Sequence, residues 1–253
     1  MKRLWITGIH PVEEALKRRP ENVCEIWVAR KGEVIDEIIA AAKIAGVPVR
    51  RVSRDELHER VGHKKHQGVA AIIRRFEYVD LESYLKEGVE ERILLLLDSV
   101  EDPQNFGSIL RSAAFFGVDG VIITEHRCVS VTDVVSKVSA GALSHVPVIR
   151  VKNLVKTMDK LKEAGFMIAG LDVHANESIY TADLSLPLAL VVGNEHKGLR
   201  RLVREHCDLR VIIPPCGKID SLNAAVSTAV ALAEMRRRWP ILRVSFQKLP
   251  SQP

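Results

Sequence analysis

Cysteine is scarce in this chain, and its cysteines keep no company. Cys24, Cys128, Cys207 and Cys216 are spread over 253 residues with no C-x-x-C pair, so neither a disulfide framework nor a zinc site is indicated. A reduced cytoplasmic setting fits that usage. His196, His206 and Cys207 lack companions at metal-ligand spacing, and no metal is expected. G-x-G-x-x-G is absent too, which removes the usual dinucleotide fingerprint. In Gly193-Asn-Glu-His-Lys-Gly198 the glycines have phosphate-loop spacing, but Leu199-Arg200 stands where Lys and Ser/Thr would have to follow. Long apolar runs are missing as well. Residues 221–233, the longest charge-free run on a plausible helix, fall short of the roughly 18 needed to span a bilayer. The basic start is cut at once by Gly8, His10 and Pro11, so it does not read as a signal peptide, and no membrane association is expected. Nor is there a strong excess of one charge: 37 Lys and Arg against 32 Asp and Glu give +5, which permits an anionic partner without requiring one.

What is present is a helix and strand rhythm, repeated. Residues 11–19 and 34–45 show helical patterns, with strands at 25–29 and 47–52. Ser53-Arg-Asp-Glu56 reads as a capping box opening another helix, and residues 69–73 as a closing strand. A charged stretch poor in strand formers follows, with one short helical pattern at 81–86, and the domain junction is placed there. Beyond it come apolar strands at 93–97, 120–124, 146–151, 166–171, 188–192 and 209–213, separated by helices. Near-continuous Val/Ile/Leu strands of that kind imply a parallel sheet covered on both faces. The fold class is therefore α/β, with a first domain at 1–76, a linker at 77–91, a second domain at 92–242 and a fraying tail at 243–253. The last helix, 221–238, sets Leu222, Ala225, Val226, Ala229 and Ala233 on one stripe. Small residues nearly all round it suit a subunit interface or burial within one subunit.

Three segments at strand ends carry the chemistry: Asp102-Pro-Gln-Asn105-Phe-Gly-Ser-Ile-Leu-Arg111, Gly193-Asn-Glu195-His-Lys-Gly198 and Ile213-Pro-Pro-Cys-Gly-Lys-Ile-Asp-Ser221-Leu-Asn223. Ligands of open α/β sheets bind where loops leave the carboxyl ends of strands, and three such loops argue for one shared site. Arg111, in an otherwise apolar helix, can bind a phosphate bidentately or simply be solvated. Glu195 is a lone loop carboxylate whose plausible work is to hold Arg111 or a substrate donor. The loop at 61–68 gathers Lys64, Lys65 and Gln67 between glycines, suited to an RNA backbone or to plain solvation.

Together, in order and spacing, these three segments resemble the motifs of the SpoU branch of the SPOUT RNA methyltransferases. Thr7-Gly-Ile-His-Pro-Val-Glu-Glu-Ala-Leu and His66-Gln-Gly-Val-Ala resemble the small substrate-binding domain, related to an RNA-binding ribosomal-protein fold, that precedes the catalytic domain in ribosomal-RNA members. The resemblance implies S-adenosylmethionine as methyl donor, a ribose 2′-hydroxyl as acceptor, a homodimer and a carboxyl-terminal trefoil knot. By motif position, Gly193, Ile213 and Leu222 should hold the donor, and Asn105, Arg111, Glu195, Ser221 and Asn223 should surround the reacting centre. Arg111 is expected to grip a phosphate beside the target hydroxyl, steadied by Asn105 and Glu195. The nearest likeness is to enzymes modifying a guanosine of large-subunit (23S) ribosomal RNA. A transfer-RNA ribose methyltransferase is the alternative within enzymes, and a non-catalytic RNA-binding protein the alternative of another class.

Overall fold

A computed structural model describes residues 4–61, 66–74, 76, 78–86, 88–195 and 197–240. The first unit runs β1 (Leu4–Thr7), α1 (Ile9–Arg18), β2 (Val23–Val28), α2 (Glu33–Ile44), β3 (Val49–Arg51), α3 (Arg54–Val61) and β4 (Val69–Ile73). Its sheet is mixed, in the order β1-β4-β2-β3, with only β2 and β3 parallel. Alternation along β2 sends Ile26 and Val28 into one core with Val12, Leu16, Ile35 and Ile38 of α1 and α2, while Trp27 meets Leu57 and Ala70 on the other face. The capping box acts as such at its first residue: Ser53 Oγ accepts from the Glu56 amide at 3.0 Å.

The second unit runs α4 (Leu81–Leu85), β5 (Ile93–Leu97), α5 (Pro103–Phe115), β6 (Gly120–Thr124), α6 (Asp133–Ser139), β7 (Val148–Val151), α7 (Leu154–Glu163), β8 (Met167–Leu171), β9 (Glu177–Ser178), β10 (Leu188–Val192), α8 (Arg201–Glu205), β11 (Leu209–Ile212) and α9 (Ala224–Arg238). All seven strands are parallel, in the order β7-β6-β5-β10-β8-β11-β9. Successive residues of β5 serve opposite cores: Ile93, Leu95 and Leu97 lie with α5 and α9, and Leu94 and Leu96 lie with α4 and α7. Burial on both faces explains why these strands carry unbroken apolar runs. Because every strand points the same way, every strand-end loop opens on one edge of the sheet.

Some elements differ from the sequence expectation. β1 pairs with β4 where the sequence shows only a basic start, and α6 was not anticipated. α9 starts at Ala224 rather than at 221, because the Asn223 side chain accepts from the amides of Ala225 at 2.8 Å and Val226 at 3.3 Å and so fixes the cap. The anticipated stripe is also rotated. Ala224, Ala225, Thr228, Ala231, Leu232, Glu234 and Met235 are the buried residues, whereas Leu222 and Val226 are 46% and 49% exposed. The inner face is chosen by packing on α5, where the Arg236 guanidinium donates to the terminal carbonyls of Phe116 and Gly117, each at 2.5 Å. The two units touch where the Trp5 amide meets Asp133 at 2.9 Å and where His145 and Glu14 pair at 2.6 Å.

Candidate active site

A cleft of about 690 Å³ opens at the carboxyl ends of β8, β10 and β11. Gly193, Glu195, Ile213, Ser221 and Leu222 all line it. Leu171, Val173, Ile212, Pro214, Pro215 and Ile219 add an apolar wall of the kind that suits a nucleoside base.

The segment from Gly193 to Gly198 folds back on itself. Asn194 and Gly198 exchange backbone hydrogen bonds at 3.1 and 2.8 Å, and Gly198 takes a φ of 62°. This closure forbids a side chain at 193, where a Cβ would lie 2.4 Å from the Gly198 carbonyl carbon and 2.6 Å from its oxygen. The glycine is thus required by the loop's own closure, which sets Gly193 in the cleft lining. Asp98, fully buried at the end of β5, accepts from the amide and the Nε of Arg200 at 2.8 and 2.5 Å. The Asn194 side chain donates to the Ser99 carbonyl at 2.9 Å. Together these bonds tie the loop after β10 to the end of β5.

Asn223 brings the three motif segments together. Its Nδ2 donates to Asn105 Oδ1 at 2.9 Å and to Glu195 Oε1 at 3.3 Å, while its Oδ1 caps α9. One amide therefore uses its full hydrogen-bonding capacity, two donors and two acceptor positions, on the first turn of α5, the loop after β10 and the start of α9. Asn105, 7% exposed in the first turn of α5, faces this junction. Asp102 holds that turn open by capping the Gln104 amide at 2.9 Å.

Arg111 stands apart from this cluster. It is exposed, is not part of the cleft wall, and makes no hydrogen bond or ion pair among the described residues. Within one chain neither Asn105 nor Glu195 steadies it, since both bind Asn223. Helix geometry supplies the reason, since six residues turn the helix by about 240° and set Asn105 and Arg111 on different sides of α5.

In the first unit, Gln67 Oε1 accepts from the Ile9 amide at 3.0 Å and so holds the start of α1. Lys64 and Lys65 lie outside the described residues. Burial first, then the charges of Arg54 and His58, hold His66 below the usual imidazole range, and its Nδ1 accepts from the Gly68 amide at 3.1 Å.

The sequence reading missed the loop after β8. Asp172, 3% exposed, accepts from the His174 amide at 3.0 Å and sits 3.2 Å from Arg204 Nε and 3.3 Å from Arg210 Nη1, close beside the cleft that it lines with Val173 and His174. Its signal was available: Leu171-Asp172, like Leu97-Asp98, is a carboxylate directly after an apolar strand. Among the described residues no group of three His, Cys, Asp or Glu side chains is placed to hold a metal ion, and no helix is long and apolar enough to cross a membrane.

The family model of the SpoU rRNA methylase family matches residues 92–233, and that of the RNA 2′-O ribose methyltransferase substrate-binding domain matches residues 5–79. A Staphylococcus aureus protein named for the TrmH family of tRNA/rRNA methyltransferases is 42% identical over 242 residues, covering 94% of this chain and 97% of its own. A Bacillus subtilis protein named for the same family is 38% identical over 244 residues with the same coverage. The crystal structure of the SpoU methyltransferase AviRb from Streptomyces viridochromogenes in complex with AdoMet superposes with a TM-score of 0.79 at 26% identity, covering 93% of this chain and 90% of that one. The strand-end cleft, the glycine that must stay bare and the asparagine that joins three loops thus sit in a member of the SpoU methylase family, to which this chain belongs.

Proposed function

We propose that this protein methylates the ribose 2′-hydroxyl of a guanosine in large-subunit (23S) ribosomal RNA, with S-adenosylmethionine as donor. Membership of the family supports the broader activity, an S-adenosylmethionine-dependent RNA 2′-O-ribose methyltransferase. Ribosomal RNA is favoured over transfer RNA because the matching catalytic model is that of rRNA methylases and because a substrate-binding unit precedes it. The observation that carries the reading is the Asn223 junction at the rim of a cleft lined by the Gly193–Gly198 loop.

S-adenosylmethionine, when bound, supplies an electrophilic methyl group. The backbone around Gly193, Ile213 and Leu222 would hold it, and the apolar wall would exclude water from its base. Methyl transfer is an in-line displacement, so orientation counts heavily, worth ~7–11 kcal/mol in favourable cases. Asn223 fixes the Glu195 carboxylate at the rim beside Ser221, where it can accept from a ribose or base donor. A guanidinium group is a poor general base, so the work suited to Arg111 is to grip a phosphate while that phosphate or water takes the proton.

In this reading Arg111 acts on the cleft of a second copy. It projects to solvent from α5, Phe115 on the same helix is 82% exposed, and Val226 on α9, packed against α5, and Leu222 just ahead of that helix are both uncovered. A homodimer that covers this surface places the guanidinium of one protomer at the cleft of its partner. The carboxyl-terminal trefoil knot belongs to the same reading, supported by the strand order β10-β8-β11 and by a last helix returning to α5.

Incubation with labelled methyl donor and separated ribosomal and transfer RNAs tests the substrate. Label should fall on a guanosine of large-subunit RNA, and label confined to transfer RNA would overturn that assignment. Mixing Arg111→Ala with Asn223→Ala protein tests the shared site. Random re-pairing should restore roughly a quarter of wild-type turnover, whereas a cleft complete within one chain would give no recovery.

A further inference from the structure

A second cavity of about 690 Å³ opens on the same edge of the sheet, at the ends of β6 and β7. Its wall combines Thr124, His126 and Arg127 after β6, residues 152–156 after β7, and residues 200–203 after β10. Five of these side chains are cationic, Arg127, Lys152, Lys156, Arg200 and Arg201, and no Asp or Glu is among the lining residues. Arg200 is committed to buried Asp98, and Arg201 pairs with Glu205 at 2.9 Å. Arg127, Lys152 and Lys156 are exposed and make no ion pair among the described residues; the adjoining carboxylate is the exposed Glu125. The first turn of α7 also faces the cavity. Asn153 caps the Lys156 amide at 3.2 Å, which leaves the amides of Leu154 and Val155 without partners within the helix.

We propose that this basic groove binds the phosphodiester backbone of the substrate RNA, on nucleotides flanking the one being methylated. Lysine, arginine and the amides of a helix start are the donors that position a nucleic-acid backbone, and they do so without reading sequence. The parallel sheet sets the distance. β6 and β10 are separated only by β5, so groove and cleft lie a few strand spacings apart, ~10–15 Å, on one edge. The connection from Gly198 to Arg200 forms a wall of the cleft on one side and of the groove on the other. The Asp98–Arg200 pair fixes that partition, so RNA held in the groove is registered against the cleft. The assignment rests on the reading of this chain as an RNA methyltransferase and adds an RNA-binding surface within its second unit, separate from the amino-terminal one.

The test is an RNA-binding titration over a range of salt, using fragments of large-subunit ribosomal RNA and, separately, bulk transfer RNA. The variant carries Arg127→Gln, Lys152→Gln and Lys156→Gln together, and a control carries Arg127→Lys, Lys152→Arg and Lys156→Arg. Each phosphate left without its cation lowers the slope of log K against log salt by ~0.7 on single strands, so the neutral variant should lose about 2 from the slope and roughly tenfold or more in affinity. The loss should be similar for both RNAs, the charge-conserving control should bind as wild type, and S-adenosylmethionine affinity should be unchanged in both. An unaltered slope in the neutral variant while wild type binds RNA overturns this proposal alone. Failure of wild type to bind either RNA overturns it together with the methyltransferase reading. Saturable binding of inorganic pyrophosphate that RNA does not displace would assign the groove to a small anion and also overturn it.

Discussion

Replacing Asn223 by alanine probes the junction on which the site depends, and the structure allows its cost to be worked out. Three losses combine. The cap on α9, made through Oδ1 to the amides of Ala225 and Val226, is worth about 1 kcal/mol. The bond at 2.9 Å to Asn105 leaves a buried amide oxygen unpaired when it goes, at about 1–3 kcal/mol. The bond at 3.3 Å to Glu195 lies at an exposed rim and adds little stability, although it fixes the carboxylate. The expected destabilisation is about 2–4 kcal/mol, read as a lower urea midpoint at unchanged slope. Asn223→Asp separates cap from junction. A carboxylate caps as well as an amide, but it cannot donate, and it sets a second negative charge beside Glu195. Asn223→Asp should therefore keep the helix cap that the alanine variant loses, while the bonds to Asn105 and Glu195 stay broken. Its methyl-transfer rate should nevertheless stay low at neutral pH. A change below about 0.5 kcal/mol in Asn223→Ala, or wild-type turnover in Asn223→Asp, would refute the account of this residue.

Two further perturbations test the cleft and the last helix. Gly193→Ala drives a methyl group into the Gly198 backbone at 2.4 Å, so the loop must open, and calorimetric titration should show S-adenosylmethionine binding lost or cut at least about tenfold while far-ultraviolet circular dichroism is unchanged; wild-type affinity would show that the loop tolerates a side chain there. Glu234, buried at 6% exposure, is held down to about 2, first by its hydrogen bond from Arg237 and then by that from Arg238. A carboxyl whose folded pKa is depressed contributes stability that is complete above its unfolded value and is lost as pH falls toward the folded one. Wild type should therefore lose stability between pH 4.5 and about 2, and Glu234→Gln should show a shallower fall over that window in acid denaturation; identical acid profiles would deny the pair this role.

Periodicity and spacing alone made the second sheet legible. Each of its central strands is buried on both faces, so β5 and β10 had to be apolar at every position, and such runs stand out in a linear string. The three motif loops were equally visible, since glycines, prolines and a lone carboxylate at strand ends follow local rules. Edges and partners were less visible. β1 earns its place only by pairing with β4, more than sixty residues on, and nothing local to Leu4–Thr7 announces that pairing. The inner stripe of α9 could not be read from a helix that is small-sided nearly all round, because the choice among such faces is made by what packs against them. The same holds within the site. The sequence supplied Asn105, Arg111, Glu195 and Asn223 as polar residues near strand ends, but hydrogen-bond partners are settled by distance in space. Only the tertiary structure gave Asn105 and Glu195 to Asn223 and turned Arg111 outward, and only the common edge of a parallel sheet brought the basic groove after β6 and β7 beside the cleft.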